Sequence, residues 1–171
     1  MAHKTIYKVK SKRRRQGITN KEKRLGLLRS GKPRMVVRVN ANKVTCQIVD
    51  YVPKGDVTKV NTTSLELKNY GYKGHNGNAA AAYLTGYLCG KKAAAKNVKE
   101  AVLDIGLRTP VLGSNAFAAL KGAVDAGLDI PLEETAFPKE EHYMKETVKE
   151  TKETMDKGIK QKEKKTVKAK K

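Results

Sequence analysis

Apolar positions recur along this chain in two periods, and the changes between them divide it into parts. Residues 35–40, MVVRVN, place Met35, Val37 and Val39 on one face and Arg38 and Asn40 on the other, the alternation of a half-buried strand. After a short turn at Ala41 and Asn42, Val44, Cys46 and Ile48 repeat the pattern against Lys43, Thr45 and Gln47. Pro53, Lys54, Gly55 and Asp56 carry turn chemistry, and residues 57–63 predict a third strand. Three strands joined by short turns make an antiparallel meander with one apolar and one largely polar face. Asp50 interrupts the apolar side, so a bulge or bend is expected beside it. Residues 64–67 predict a short helical turn.

The period then becomes helical, from residue 79 to about residue 95. Ala82, Gly86 and Gly90 stand four apart and leave one ridge nearly bare of side chain. Each interior glycine costs about 1 kcal/mol against alanine, so close packing, expected to be on the sheet, must offset it. Tyr83 and Tyr87 share an adjoining face, and Lys91 and Lys92 fall in the last turn, where the helix dipole favours cations. Asn97 closes this helix. Residues 101–105 predict a short buried strand, and Ser114 caps a helix over 115–126 with Phe117, Leu120 and Val124 as its core stripe and Gly127 as its stop. Strand, helix, strand, helix implies a βαβ crossover, with the last strand joining the meander in parallel. The fold class is therefore α/β (α+β), a mixed sheet with helices packed on it.

Both flanks differ from this body. Thr19, Asn20, Lys21 and Glu22 fit a capping box, with Thr19 as N-cap of a helix running to about Ser30. Gly31 supplies a left-handed stop and Pro33 bars continuation, while Leu25 and Leu28 fall on one face to anchor the helix. Residues 1–16 have no sustained apolar period and repel themselves, so the free arm should be disordered. From residue 138 onward, Lys-Glu-Thr triplets predict local helix over about 140–155 but no packed core. Three segments follow: a basic arm (1–17), a single globular domain (18–137) and a charged extension (138–171), partly helical or disordered.

Charge turns this outline toward function. The chain carries +20 at pH 7, and its first 34 residues hold thirteen Lys and Arg against a single acid, Glu22. Such segregation implies a polyanionic partner. Lys8, Lys10, Lys12, Arg13, Arg14 and Arg15, punctuated by Tyr7, form a dense phosphate-binding surface, and Tyr7 can stack on a base. Arg24 follows on the basic helix. Arg38, Asn40, Lys43, Thr45 and Gln47 are either a solvated sheet face or a nucleic-acid contact. The loop 69–78, with three glycines, two tyrosines and Lys73, suits close backbone approach and stacking, but lacks the GK[ST] of a P-loop. No apolar run approaches the roughly 20 residues that span a bilayer, so no membrane role is expected. Cys46 and Cys89 lack CxxC spacing and read as reduced core thiols of a cytoplasmic protein. His3, His75 and His142 are scattered, so neither metal nor cofactor is expected. An RNA-processing enzyme would need carboxylates converging on Mg²⁺, for which Asp50, Asp56 and Asp104 are the candidates, and they form no recognisable pair. A nonspecific RNA chaperone, dominated by its tails, is a further alternative.

The ordered succession RRRQG, SGKPRMVVRVN, CQIVDY, GYKGHN, AAAYLTGYLCGKKA, AVLDIGL, GS and FAALKGAVDAGLDIP resembles one family over roughly residues 8–131. It is the L-eighteen family of large-subunit ribosomal proteins in its archaeal form, akin to the eukaryotic protein called L-five. The resemblance implies binding to 5S rRNA in the central protuberance, contacts with the large (23S-type) rRNA and with neighbouring ribosomal proteins, and no enzymatic activity. A single copy, not a homo-oligomer, is expected. Carried over by position, the motifs add Gly31, Lys32, Pro33 and Arg34, then Gly71, Tyr72 and Lys73, then Asn78, Tyr83, Thr85, Lys91 and Lys92. The expected RNA contacts are thus Lys8, Lys10, Lys12, Arg13, Arg14, Arg15, Arg24, Lys32, Arg34, Arg38, Asn40, Lys43, Thr45, Gln47, Tyr72, Lys73, Asn78, Tyr83, Lys91 and Lys92. Two departures stand out. Asn115 and Ala116 replace an arginine-valine pair common after GS, and the extension after Pro138 has no clear counterpart.

Overall fold

A computed structural model describes residues 9–144 and 146–168, with side chains as far as Lys157. In chain order the elements are α1 (Lys12–Arg15), α2 (Lys21–Leu28), β1 (Arg34–Val39), β2 (Val44–Asp50), β3 (Val57–Thr63), α3 (Ala79–Ala94), β4 (Val102–Asp104), α4 (Asn115–Asp125), α5 (Glu140–Tyr143) and α6 (Glu146–Lys168). The strands form one sheet in the order β3-β2-β1-β4. The meander pairs Met35 with Ile48 and Val37 with Cys46, and β4 runs parallel to β1 with Leu103 beside Met35, as the crossover requires. The register shifts between Ile48 and Val49, next to Asp50, where an irregularity was expected. Met35, Val37, Val44, Cys46, Ile48 and Val60 turn one face into the core. A 3-10 helix, Ser64–Tyr70, follows β3; Thr63 and Glu66 close a capping box at its start, and it runs three residues past the expected turn to a left-handed stop at Gly71 (φ 86°).

α3 is buried without interruption from Ala80 to Gly90. Ala82, Cys89 and Ala93 join the cluster that covers the sheet. The two glycines of the bare ridge face elsewhere, and for them the expectation of packing on the sheet is corrected. A Cβ on Gly86 would overlap the carbonyl oxygen of Ala119, one on Gly90 would press on Ala123 and Ala126, and one on Gly122 would overlap the carbonyl oxygen of Tyr83. α3 and α4 therefore touch backbone to backbone. A sheet presents side chains to a helix, whereas a second helix bearing its own small residues can meet bare backbone with backbone.

The N-terminal expectations need two corrections. Asn20, not Thr19, caps α2, its Oδ1 accepting from the N–H groups of Glu22 (3.1 Å) and Lys23 (3.3 Å). Thr19 is engaged instead by Arg13 Nε (3.1 Å), and Glu22 pairs with Arg14 (3.1 Å) rather than closing a box. The arm also contains one helical turn, α1. α2 buries no residue, and Leu25 is 57% exposed, so leucines do not anchor it. Gly31, at φ 65°, takes the left-handed position expected of it.

The extension is the larger surprise. Tyr143, Val148, Thr151 and Met155 are buried, and with Leu67, Tyr72, Tyr83, Leu84, Tyr87 and Leu88 the apolar ones form a second core on the flank of α3. Val148, Thr151 and Met155 are spaced three and four apart, a helical stripe narrow enough to be hidden among lysines and glutamates. Polar ties reinforce it: Tyr87 donates to Asp156 (2.9 Å), Thr154 donates to the Tyr70 carbonyl (3.0 Å), and the rings of Tyr83 and Tyr143 stack 4.7 Å apart. Among the described residues no helix is long and apolar enough to cross a membrane.

Two measurements test this packing. Gly86→Ala should lower stability by about 3 kcal/mol in urea unfolding, despite alanine's better helix propensity, because backbone blocks the new methyl. Burial also pushes the thiol of Cys89 up to about 11 and that of Cys46 well above its ordinary value. Burial, then hydrogen bonding to Asp125 and Asp156, raises the phenols of Tyr83 and Tyr87. The folded state thus holds protons that the unfolded chain releases, so stability is full below about pH 9 and falls as pH rises beyond it. The urea midpoint at pH 10.5 should lie well below that at pH 8, and equal midpoints would contradict the burial.

Candidate nucleic-acid interface

Alternation along β1 sends Arg34, Val36 and Arg38 to the sheet face away from α3 and α4. Arg34 is only 4% exposed. A guanidinium so enclosed needs carboxylates, and it has two: Nη1 donates to Asp104 Oδ2 (2.8 Å) and Nη2 to Asp56 Oδ2 (2.6 Å). Asp56 also accepts from Arg24 Nη2 through both oxygens at 2.8 Å. Asp104 Oδ1 accepts from Arg38 Nη2 (3.2 Å) and from the Gly106 N–H (2.8 Å). Arg38 Nη1 donates to the carbonyls of Asp104 (2.7 Å) and Val37 (2.9 Å). The result is an alternating chain, Arg24–Asp56–Arg34–Asp104–Arg38, that stitches α2 and the turn before β3 to β1 and β4. Gly106, at φ 72°, lies so close that a Cβ would sit 3.0 Å from the Arg38 guanidinium carbon.

This chain underlies a groove of about 790 Å³ between α2, β1 and the loop after β4. Ile18, Leu27, Val39, Leu103, Ile105, Leu107 and Pro110 supply apolar wall, and Arg13, Lys23, Arg24, Arg38 and Arg108 bring cations to it. Among the described residues, Asp104 is the one acid in the lining. A smaller cavity of about 340 Å³ adjoins it through Val39, Ile105 and Arg108 and reaches Asn115 and Ala116. There Asn115 donates to the Gly77 carbonyl (2.9 Å). Half-apolar and ringed with guanidinium groups, the groove has the chemistry for phosphates together with unstacked bases.

Comparison with known proteins decides the family. Residues 5–99 and 92–133 match the family described as ribosomal large subunit proteins 60S L5, and 50S L18. Over 156 residues the chain is 49% identical to large ribosomal subunit protein uL18 of Methanobrevibacter smithii, covering 91% of this chain and 81% of that protein. It is 47% identical to uL18 of Methanothermobacter thermautotrophicus over the same coverage. With uL18 of Methanococcus maripaludis it shares 55% over 131 residues, 77% of this chain and 68% of the other. The chain belongs to this family. Membership makes it a structural, non-enzymatic component of the large ribosomal subunit. A match covering 156 of 171 residues must reach at least residue 156, so the packed part of the extension does have a counterpart in relatives.

Seen from that family, the expected RNA contacts separate into groups. Lys8 and Tyr7 lie outside the described residues. Lys10, Lys12, Arg13, Arg14 and Arg15 are exposed on or beside α1, and Asn40, Lys43 and Lys73 are exposed at loops. Thr45 and Gln47 are half-buried on the open sheet face, with Gln47 donating to Asn61 (3.2 Å). Lys32 pairs with Glu100 at 2.5 Å, an exposed contact that raises the lysine pKa and lowers the carboxylate's. Lys91 pairs with Asp156 (3.4 Å) over the Tyr87 ring, and Lys92 with Glu66 (2.7 Å).

Three expected contacts are turned inward, and a fourth serves the backbone. Arg34 is the centre of the buried ion chain. Tyr83 is fully buried and donates to Asp125 (2.8 Å), and Tyr72, 5% exposed, donates to Asn78 Oδ1 (3.0 Å). Asn78 itself caps α3 through the Ala81 N–H (2.7 Å). Tyrosines on a Gly-rich loop and a small-residue helix invite a stacking role, but α5 and α6 cover them, and a charged tail did not announce that cover. Sequence patterning missed Arg108, which lines the groove but sits in a stretch of net negative charge. The three carboxylates weighed for Mg²⁺ do not converge. Asp50 is held by Lys59 (2.5 Å), and Asp56 and Asp104 by arginines.

Arg34→Ala should lower stability by about 3 kcal/mol, because it leaves Asp104 Oδ2 unpaired in a buried site with only Arg38 to offset the charge. Lys43→Ala, at an exposed turn, should stay within about 0.5 kcal/mol of the parent. Urea denaturation of the two variants side by side checks the contrast.

Proposed function

We propose that this chain binds 5S rRNA and helps attach it to the large rRNA in the central protuberance of the subunit. The observation that carries the reading is the convergence of Arg13, Lys23, Arg24, Arg38 and Arg108 on one groove beside the basic arm. The mechanism is capture followed by fitting. Lys10, Lys12, Arg14 and Arg15 neutralise phosphates and release counterions, and the rigid sheet face with Asn40, Lys43, Thr45 and Gln47 then selects an RNA shape. Lys32 and Lys73 extend the contact along neighbouring loops, and Lys8 belongs to the same arm. Lys91 and Lys92 act mainly within the fold. Surfaces left free of RNA meet neighbouring large-subunit proteins.

Purified protein should bind 5S rRNA well ahead of a tRNA competitor at physiological salt. Equal affinity for the two would overturn the reading in favour of a nonspecific RNA chaperone. Removing residues 1–16 should weaken binding and flatten the plot of log affinity against log salt by about 0.7 per lost phosphate contact on single-stranded RNA. An unchanged slope would move the docking surface away from the arm.

A further inference from the structure

Two acids beneath a groove offered to a polyanion call for an explanation. Asp104 has its side chain 10% exposed and Asp56 24%, whereas the arginines they hold at the surface, Arg38 and Arg24, are 45% and 40% exposed. Each carboxylate therefore turns one oxygen inward to Arg34 and grips an outward guanidinium as well. The outward groups keep free donors. Arg24 commits only Nη2, and Arg38 commits Nη1 and Nη2, so Arg24 Nε and Nη1 and Arg38 Nε have no partner among the described residues. Arginine carries several rotatable bonds, and ordering such a chain on binding opposes affinity. Prior ordering removes that opposition.

We propose that Asp56 and Asp104 are positioning residues for RNA: they hold the guanidinium groups of Arg24 and Arg38 in place at the groove before a phosphate arrives. The proposal rests on the RNA-binding reading above and deepens it. Arg34 is the shared buried strut that ties the two acids together, so the groove's two sides, α2 and the β1–β4 edge, present their cations at a set separation. Gly106 belongs to the same device, since its N–H fixes Asp104 Oδ1 and its missing side chain leaves room for Arg38.

The sign of the effect separates positioning from general electrostatics. Removing a carboxylate makes the surface more positive and by charge alone tightens binding to RNA. Positioning demands the reverse. Asp104→Asn should weaken 5S rRNA binding about tenfold, the worth of one charge-assisted contact, and lower the salt slope by about 0.7–0.9 for the lost phosphate. In an Arg38→Ala background the same substitution should have no further weakening effect. Affinity that rises or stays level, or an equal loss in both backgrounds, overturns the proposal. Thermal unfolding establishes that each variant is folded at the assay temperature. Should Asp104→Asn fail there, the half-exposed pair runs the same cycle with Asp56→Asn and Arg24→Ala. Wild-type protein that binds tRNA as well as 5S rRNA would overturn the 5S reading alone, and the cycle measured on either RNA still decides positioning.

Discussion

Two helices of this molecule meet backbone against backbone, where Gly86 and Gly90 of α3 face α4 and Gly122 of α4 faces α3. Much of the rest depends on that contact. It lets two helices share the width that side chains otherwise separate, so that both cover one face of a four-stranded sheet. It also turns Tyr83 and Tyr87 to the flank of α3 that remains, where Tyr143, Val148 and Met155 complete a second core. Glycine is unfavourable in a helix interior, and its presence at these positions is offset by contact that no larger residue allows.

Covering one sheet face leaves the other to a different kind of interaction. Arg34 enters the start of β1 on that face and is enclosed, which is tolerable only with Asp56 and Asp104 in direct contact. The two acids then reach outward to Arg24 and Arg38. One buried cation thereby relates a helix that has no apolar anchor to the edge of the sheet, and the basic surface inherits the rigidity of the core. For a member of a large-subunit ribosomal protein family this is a coherent division of labour. α3 and α4 stabilise the sheet from one side, and ion pairing organises the other.

The strands were legible because period-two alternation survives in Met35, Val37 and Val39 and again in Val44, Cys46 and Ile48. The parallel fourth strand followed from connection lengths. Capping was read one residue early at Thr19, because the hydroxyl had a competing donor, Arg13, that local spacing does not reveal. The tail was misread because its core stripe is three residues in a background of lysine and glutamate, and composition outweighed it. Lys12, Arg15 and Lys43, cations that charge alone puts at the surface, are exposed. Arg34, Tyr72 and Tyr83 are buried, and the sequence does not say so, since an arginine or tyrosine carries the same letter whether it faces solvent or a buried partner.

What the sequence by itself determined is the strands and helices of the central body, their order, the parallel crossover and the segregation of positive charge toward the N-terminus. Those follow from interactions within a few residues or from sums over the chain. Only the tertiary structure decided which cations are available and which are struts. That distinction depends on Asp104 lying 70 residues from Arg34, and on Tyr87 meeting Asp156 across 69. Burial and pairing over such separations are properties of packing, and no local pattern encodes them.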